Sequence, residues 1–584
     1  MAQSTISFAG ALKDQLDYLI GMSIFTNARP FSLFDDIYLR RLLRKLNPDY
    51  TPPDRHRISG DTLGKCYERQ RILVLQELRN TRYLNITINE TTNITNDRMV
   101  TLSFNLRDKS LFYCLENFGD CVFDAQAVAD WIYSKMESFL AAEGSVGDWN
   151  RLNSLSTDAT ATMRSVCQIL SEKPELRHLF CIPCDSHGLQ LIIKDLLHLP
   201  RIHEAFSVAT KIVTYFRSSA KQLASLRTFQ QQIYSEARSL LAAVITRQGS
   251  QYDMLYSIKR SSEALKAWAV AALSSGDAKV SIIQIILYRK DLWLEIDNLL
   301  ALLEPLHKAQ KASEAQNTDI MMVTKRWLDL QVHFEAQIMV SLFGEDIRSY
   351  LFNENSSWFN RFNRQVSPLH WAAYYLHPQN AGDDVPLPSN IISALDKVIE
   401  KYAGEGGVNS FYYFRNKEEG FYAPDIWKQK RPLDFWLRAK DMAPDLAQFA
   451  IRLFNTTANS VAAERTFGAM KLQHTKLLNH LNPKQTERLV FLHMNTRALE
   501  AAEGKGNKDI DLVEPDILDQ EEMARTQIFQ DTTLLDDQVE TPRSNDHEAD
   551  AARSLPLAPP QVLGKRPWEA QASEPIPKRK LASV

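Results

Sequence analysis

The C-terminal third of the chain contains SVAAERTFG at residues 460–468, LNP at 481–483 and ERLVFLHMN at 487–495. The first segment has the apolar spacing of a helix, and the proline of the second fits the first turn of another helix. The third segment is apolar around more than one narrow stripe, so it predicts a helix that needs extensive burial. Without further context, both are ordinary core helices, with Glu464 a solvated charge near a helix N-terminus.

Taken in this order, the segments resemble the C-terminal signature of hAT-superfamily transposases. The resemblance implies that Glu464 completes a metal-binding triad. It also implies that the next helix contacts a second subunit through Leu489, Phe491 and Leu492. The expected partner is a second copy of the chain or a related hAT protein, in a dimer or a larger assembly.

Length and composition fit a soluble protein with several domains. The 584 residues are 44% hydrophobic and 24% charged, which is ordinary for soluble proteins and allows large cores. No run of about 18 apolar residues and no secretory signal pattern occurs, so we expect neither membrane insertion nor secretion. The six cysteines favour structural thiols in a reducing compartment over a disulfide framework.

The first 80 residues read as short helices separated by prolines. The segment FSLFDDIYLRRLLRKL at residues 31–46 and the prolines that flank it are similar to the region that follows the N-terminal zinc finger of many hAT proteins. No paired cysteine and histidine pattern of a BED-type finger precedes residue 66, so this finger is predicted to be absent.

From residue 83 onward, β-branched and aromatic residues alternate in short runs that indicate strands. Three such runs predict an antiparallel unit, and two more alternate with helical patterns. This order matches the β1-β2-β3-α-β4-α-β5 order of an RNase H-like domain. The predicted strands are YLNITIN (83–89), MVTLSFNL (99–106), SLFYCLEN (110–117), RLNSLST (151–157) and HLFCIPC (178–184).

The fold class predicted is α+β and rich in helix: an RNase H-like mixed sheet interrupted by a large all-helical insertion, followed by C-terminal dimerisation helices. Residues 1–80 form an N-terminal helical segment, and 81–197 form the first part of the RNase H-like domain. The insertion is placed at 198–447. The last RNase H-like helix and the dimerisation region occupy 448–500, and 501–584 are a disordered tail, acidic and then basic.

RNase H-like transposases use carboxylates from separate strands to hold two divalent metals, Mg²⁺ or Mn²⁺. The resemblance gives Asp158, after the fourth strand, and Glu464 as two of these ligands. The third position holds Asn89 where the family has an aspartate. Because an amide removes a full negative charge, we expect two-metal catalysis to be impaired. Glu90 points to the opposite face of its strand, so it could substitute only after a register shift.

Two further departures from the family lie outside the triad. Arg247 and Gln248 resemble the family's Thr-Arg-Trp segment of the insertion, with Gln248 in place of a tryptophan thought to stack on a DNA base. The usual Arg-Asn-Arg-Leu reads Leu-Asn-His-Leu at 478–481, which removes two cations that could hold phosphates.

Cys184 and His187 form the family's Cys-x-x-His motif at the end of the fifth strand. With His178 and Cys181 they make a string of residues three apart that invites a zinc interpretation. Alternate strand residues face opposite sides, and four ligands within ten residues rarely close a tetrahedron. No zinc is therefore expected, and packed thiols with a helix-start histidine are the alternative.

The tail divides into an acidic part and a basic part. Residues 501–550 contain 15 acidic side chains against 4 basic ones, and residues 551–584 contain 6 basic against 2 acidic. The remaining residues 1–500 carry a mild net charge of +4. The basic residues of the tail resemble a bipartite nuclear import signal, so a nuclear location is predicted. They are Lys565, Arg566, Lys578, Arg579 and Lys580.

Together these features predict an hAT transposase-like protein that dimerises through its C-terminal region, keeps some DNA association and is doubtful as a catalyst. Two alternatives stay open. One is an active, metal-dependent DNA transposase that cleaves and transfers strands. The other is a purely structural protein-interaction module.

Overall fold

The structure is a computed structural model. It describes residues 2–92, 97–119, 123–142, 144, 147–244, 249–315, 320–353, 356–382, 385–429, 431–473 and 482–502. For residues 2–11, 92, 461–464 and 472–473, only the backbone is described.

The N-terminal segment is helical, as the prolines and the apolar periodicity predicted. Asp36 caps the second helix by accepting hydrogen bonds from the backbone N–H groups of Tyr38 and Leu39, which satisfies two of the free donors of the first turn. The helices are α1 (Ala2–Phe25), α2 (Ile37–Leu46), α3 (Arg55–Arg57) and α4 (Leu63–Arg79).

A five-stranded mixed sheet follows, in the order β3-β2-β1-β4-β5. The first three strands are antiparallel, whereas β1 pairs with β4, and β4 with β5, in parallel. Their β-branched and aromatic residues suit a pleated, buried surface. The bounds are β1 (Leu84–Thr92), β2 (Arg98–Asn105), β3 (Ser110–Asn117), β4 (Leu152–Thr157) and β5 (Phe180–Pro183).

Three helices alternate with the later strands: α5 (Ala125–Ala142) before β4, α6 (Ala161–Glu172) before β5, and α7 (Asp185–His198) after β5. One face of the sheet is apolar and packs on α5, where the rings of Phe104 and Phe139 lie 4.7 Å apart between centroids. The other face is polar, which is unusual for a buried surface and identifies where the candidate site lies.

A large helical region lies between α7 and the last two helices. Its buried leucines, isoleucines and tryptophans form one continuous core that extends to β5 and α7. The helices are α8 (Pro200–Ser218), α9 (Ala220–Tyr234), α10 (Ser250–Arg260), α11 (Ser262–Ser275), α12 (Val280–Tyr288), α13 (Leu292–Ser313), α14 (Ile320–Val340), α15 (Gly344–Phe352), α16 (Ser357–Gln365), α17 (Pro368–Tyr375), α18 (Ser389–Asn416), α19 (Pro432–Arg438) and α20 (Pro444–Phe454).

The chain then returns to the sheet through α21 (Val461–Gln473) and α22 (Pro483–Ala502). Helix α21 contacts β1, β2 and β3, and α22 contacts β3, α4 and α1. None of the helices in the described part of the chain is both long and apolar enough to cross a membrane.

The predicted succession of strands and helices is confirmed for all five strands, as is the antiparallel pairing of the first three. A mostly helical molecule with a small mixed sheet agrees with the α+β class. The assignment of this sheet to the RNase H-like fold and the bounds of the five predicted segments stay predictions.

Candidate functional site

The candidate site lies where the polar face of the sheet reaches the carboxyl ends of β1 and β4. Thr87 of β1 is the partner of Ser156 of β4 in the parallel register, and both are fully buried. Because side chains alternate along a strand, Asn89, two residues further along β1, lies on this same face. Asp158 follows Thr157, the last residue of β4, and so lies at the carboxyl end of that strand. The structure therefore brings these two predicted triad positions to one edge of the sheet.

Asn89 is half-buried and uses its amide locally. Its Oδ1 accepts a hydrogen bond from the backbone N–H of Glu90 at 2.9 Å. Across the sheet, the Thr101 hydroxyl donates to the backbone carbonyl oxygen of Asn89 at 3.3 Å. The neutral amide thus stands at the strand end where the family has a charged carboxylate.

Asp158 begins the loop between β4 and α6. Its Oδ1 accepts a hydrogen bond from the Thr160 hydroxyl at 2.9 Å, and the same hydroxyl caps α6 by accepting from the backbone N–H of Met163. These bonds hold the carboxylate at the strand end while leaving it half-buried.

Glu90 is a neighbour of Asp158 although it follows Ile86 and Ile88 on the other face of β1. Burial raises the pKa of Glu90, the positive charge of Arg98 lowers it, and the negative charge of Asp158 raises it. The Arg98 Nε lies 4.0 Å from Glu90 Oε1. Two carboxylates therefore interact at this edge, but they do not share a strand face.

Helix α21, which carries Glu464, follows a segment that lies on the polar face of the sheet. The backbone N–H of Asp185 donates to the carbonyl oxygen of Ala458 at 3.0 Å, and Asn105 Nδ2 donates to that of Asn459 at 3.2 Å. The segment before α21 is thereby tied to the start of α7 and to β2. The side chain of Glu464 itself lies outside what the structure describes.

The Cys-x-x-His motif serves packing in this structure. Cys184 is fully buried, and its Sγ accepts a hydrogen bond from the backbone N–H of Ser460 at 3.3 Å. Burial lowers the pKa of His187, Asp158 raises it and Arg361 lowers it. His187 is therefore influenced by charges of both the candidate site and the helical region.

The other two members of the predicted zinc string have separate partners. The Nε2 of His178 lies 3.0 Å from the carbonyl oxygen of Leu152, and Cys181 Sγ lies 3.9 Å from that of Cys167. Among the residues whose side chains are described, no three His, Cys, Asp or Glu side chains come together in a group that could hold a metal ion.

The donor set at the strand edge does not fit a two-metal centre. Asp158 supplies one carboxylate and Asn89 a neutral amide, so even with Glu464 the face would offer two negative charges for two divalent cations. Divalent cations of this kind favour several charged oxygen ligands.

An acidic residue inside the Cys-x-x-His motif was missed by the sequence reasoning. Asp185 is fully buried; it forms an ion pair with Arg326 and accepts a hydrogen bond from Trp327 Nε1 at 2.8 Å. This pair connects the sheet to α14 of the helical region. The acidic side chain in the first turn after a buried strand was the available signal, but its partners lie more than 140 residues away.

The predicted dimerisation side chains lie inside a single chain. Leu489, Phe491 and Leu492 are 2%, 2% and 0% exposed. The two leucines pack on α1 and the start of α4, and Phe491 meets Tyr67 with ring centroids 4.9 Å apart. A contact made by these three side chains between two folded chains is incompatible with this packing, because α1 and α4 already cover them.

Helix α22 also covers the outer edge of the sheet. Asn495 accepts a hydrogen bond from the backbone N–H of Phe112 and donates to its carbonyl oxygen, both at 2.8 Å. The side-chain amide thus takes the place of a neighbouring strand along β3, which would otherwise leave backbone groups unpaired.

Two groups of predicted residues fall outside the described part of the chain. One is the proposed DNA contact of Arg247 and Gln248. The other is the nuclear signal of Lys565, Arg566, Lys578, Arg579 and Lys580.

Comparison with known proteins supports the C-terminal assignment. Residues 417–496, which include α19 to α21 and the first two thirds of α22, match the family model of the hAT family C-terminal dimerisation region. No curated protein matches the chain with significant similarity. The match confirms the C-terminal part of the resemblance: residues 417–496 are of the hAT type, which supports a relation of the chain to hAT transposases.

Proposed function

We propose that this protein is a self-associating, transposase-derived protein that associates with DNA but does not cleave it efficiently. The observation that carries the proposal is the neutral Asn89 amide near the carboxyl end of β1, which pairs in parallel with β4, the strand that Asp158 follows. A site with this charge binds a pair of divalent cations poorly, and phosphoryl transfer depends on them for the nucleophile and the leaving oxygen.

Self-association is supported by the hAT-type dimerisation region at residues 417–496. The partner is a second copy or a related hAT protein. Since Leu489, Phe491 and Leu492 are buried inside one chain, other side chains of the region make the contact.

DNA association is supported by the resemblance to hAT transposases, which implies a DNA-binding ancestor. The net charge of +4 on residues 1–500 is compatible with it but is too small to indicate nucleic-acid binding by itself. The basic clusters of the tail fit delivery to the nucleus, where such association would take place.

The competing function is an active transposase that uses Mg²⁺ or Mn²⁺. The observation in its favour is that Asp158 and Glu90 interact electrostatically. If β1 shifted by one residue at its end, Glu90 would supply the carboxylate that Asn89 lacks.

A nicking assay on supercoiled plasmid with Mg²⁺ or Mn²⁺ separates these functions. We expect no metal-dependent nicking by the parent chain, partial activity for Asn89→Asp, and none for a variant with both Asn89→Asp and Asp158→Asn. Nicking by the parent that is lost in Glu90→Gln would overturn the proposal. Absence of DNA binding in a filter assay would leave only the structural interaction module.

A further inference from the structure

The C-terminal end of α16 lies at the carboxyl edge of the parallel strands. Gln365 Nε2 donates a hydrogen bond to the carbonyl oxygen of Pro183, the last residue of β5, at 3.0 Å. Pro183 is the register partner of Thr157, and Asp158 follows directly. This contact places a helix of the helical region beside the candidate site.

Three arginines surround this junction. Arg361 and Arg364 are three residues apart on α16, so they lie on the same side of the helix. Arg361 forms a two-pronged ion pair with Asp195, at 2.8 and 3.0 Å. Arg164 comes from α6, and its Nη1 donates to the carbonyl oxygen of Ala159 at 3.1 Å. Two different parts of the chain therefore direct guanidinium groups to one place.

The positive charge at the junction is only partly balanced. Burial lowers the pKa of Arg364, and the charges of Arg164 and Arg361 lower it further, while Asp195 raises it. That carboxylate is already paired with Arg361. Within the described residues, Arg164 and Arg364 have no carboxylate within ion-pair distance. Both are exposed, so an anion from solution can reach them.

We infer that Arg164 and Arg364 bind a backbone phosphate of DNA close to Asp158, while Arg361 stays paired with Asp195 one helical turn from Arg364. A guanidinium matches phosphate oxygens with paired N–H donors, and a phosphate relieves the repulsion between the arginines. Helix α6 begins at Ala161 on the same edge, and its N-terminus adds a favourable partial charge. The inference rests on the proposed DNA association and assigns it to named residues.

The test is fluorescence anisotropy with a labelled DNA duplex, titrated with the full chain at several salt concentrations. The variants are Arg364→Gln and the double substitution Arg164→Gln and Arg364→Gln. Arg227→Gln is the matched control, because Arg227 is an exposed arginine on α9, which packs on α8 and α11. Loss of this one phosphate contact in the double variant should weaken binding roughly tenfold near 0.1 M salt and lower the salt slope by about 0.9, and the single variant should fall between the parent and the double variant.

The outcomes separate the inference from the proposed function. If the parent binds DNA and the double variant binds equally well, the phosphate site is overturned while DNA association stands. If the parent binds no duplex, both fail. Thermal unfolding should give the Gln variants a midpoint equal to or above that of the parent, because a repulsion is removed.

A variant that preserves the charge tests whether loss of folding, rather than loss of a phosphate contact, explains weaker DNA binding. Arg164→Lys together with Arg364→Lys should keep most of the salt slope while losing part of the affinity, since lysine keeps the charge but not the paired donors. Loss of the whole slope in this folded Lys variant would contradict phosphate binding by these side chains.

Discussion

The outer edge of β3 and the carboxyl ends of β1 and β4 belong to one sheet but differ in how far other parts of the chain cover them. At β3, α22 covers the edge with apolar side chains and pairs the backbone through Asn495. At β1 and β4, Asn89, Asp158 and Glu90 stay half-buried, with arginines nearby. The first edge is closed by the chain itself, and the second keeps polar groups that a ligand can reach.

The largest effect should come from breaking the closed edge with Leu492→Asp. A fully buried leucine replaced by a charge loses its packing and leaves a carboxylate without a partner, which should cost about 4 kcal/mol or more in the free energy of unfolding. Urea unfolding followed by circular dichroism measures this change. The matched control is Leu437→Asp on α19, where the leucine is 54% exposed and the change should stay within about 1 kcal/mol.

The same pair of variants decides what α22 contacts. If Leu492→Asp were a folded monomer with unchanged unfolding, while the parent is a dimer by light scattering, α22 would be a subunit contact and its burial in one chain would be refuted.

The next largest effect should be a loss of folding stability at low pH, caused by His493 of α22. His493 is 2% exposed; burial, followed by the charge of Arg497, lowers its pKa to about 4. Because the folded state binds this proton less readily than the unfolded state, stability is present above about pH 6.5 and is lost as the pH falls towards 4. The difference amounts to about 3 kcal/mol over this window.

Unfolding curves of the parent and of His493→Gln between pH 7 and pH 4 measure this loss. The parent should lose more stability than the variant, and the buried His370 and His377, which both proteins share, cancel in the comparison. Parallel pH profiles would show that His493 titrates normally and that α22 is open to water.

A smaller effect is expected at the edge itself. Asn495→Ala leaves the backbone N–H and carbonyl oxygen of Phe112 unpaired and should cost about 2 kcal/mol. Hydrogen exchange at the Phe112 amide should become faster while that of Ile86, in the centre of the sheet, stays slow. Asn360→Ala removes the same group from an exposed position on α16 and should change stability by less than about 0.5 kcal/mol. Equal effects of the two substitutions would rule out the edge-pairing role.

The comparison also shows what the sequence can predict. The five strands and the position of Asp158 after β4 were predictable, because alternation and β-branched residues are local signals. The apolarity of Leu489 and Leu492 predicted that something covers them. It could not tell that the cover is α1, more than 400 residues earlier in the chain.

The features that the sequence did not predict depend on contacts between distant segments of the chain. The ion pair of Asp185 with Arg326 joins residues that no local pattern connects, and the proximity of Arg164 to Arg364 was equally hidden in the sequence. Asn89 was recognisable only through the family resemblance, and the parallel pairing of β1 with β4 then brought it to the same end of the sheet as Asp158.

The most direct test of the account is a titration with Mn²⁺, followed by electron paramagnetic resonance, of the parent, Asn89→Asp and Asp158→Asn. The account predicts weak binding by the parent and at least roughly tenfold tighter binding by Asn89→Asp, about 1.4 kcal/mol, because the aspartate restores the missing charge. Tight binding of two Mn²⁺ ions by the parent, abolished by Asp158→Asn and not improved by Asn89→Asp, would contradict it.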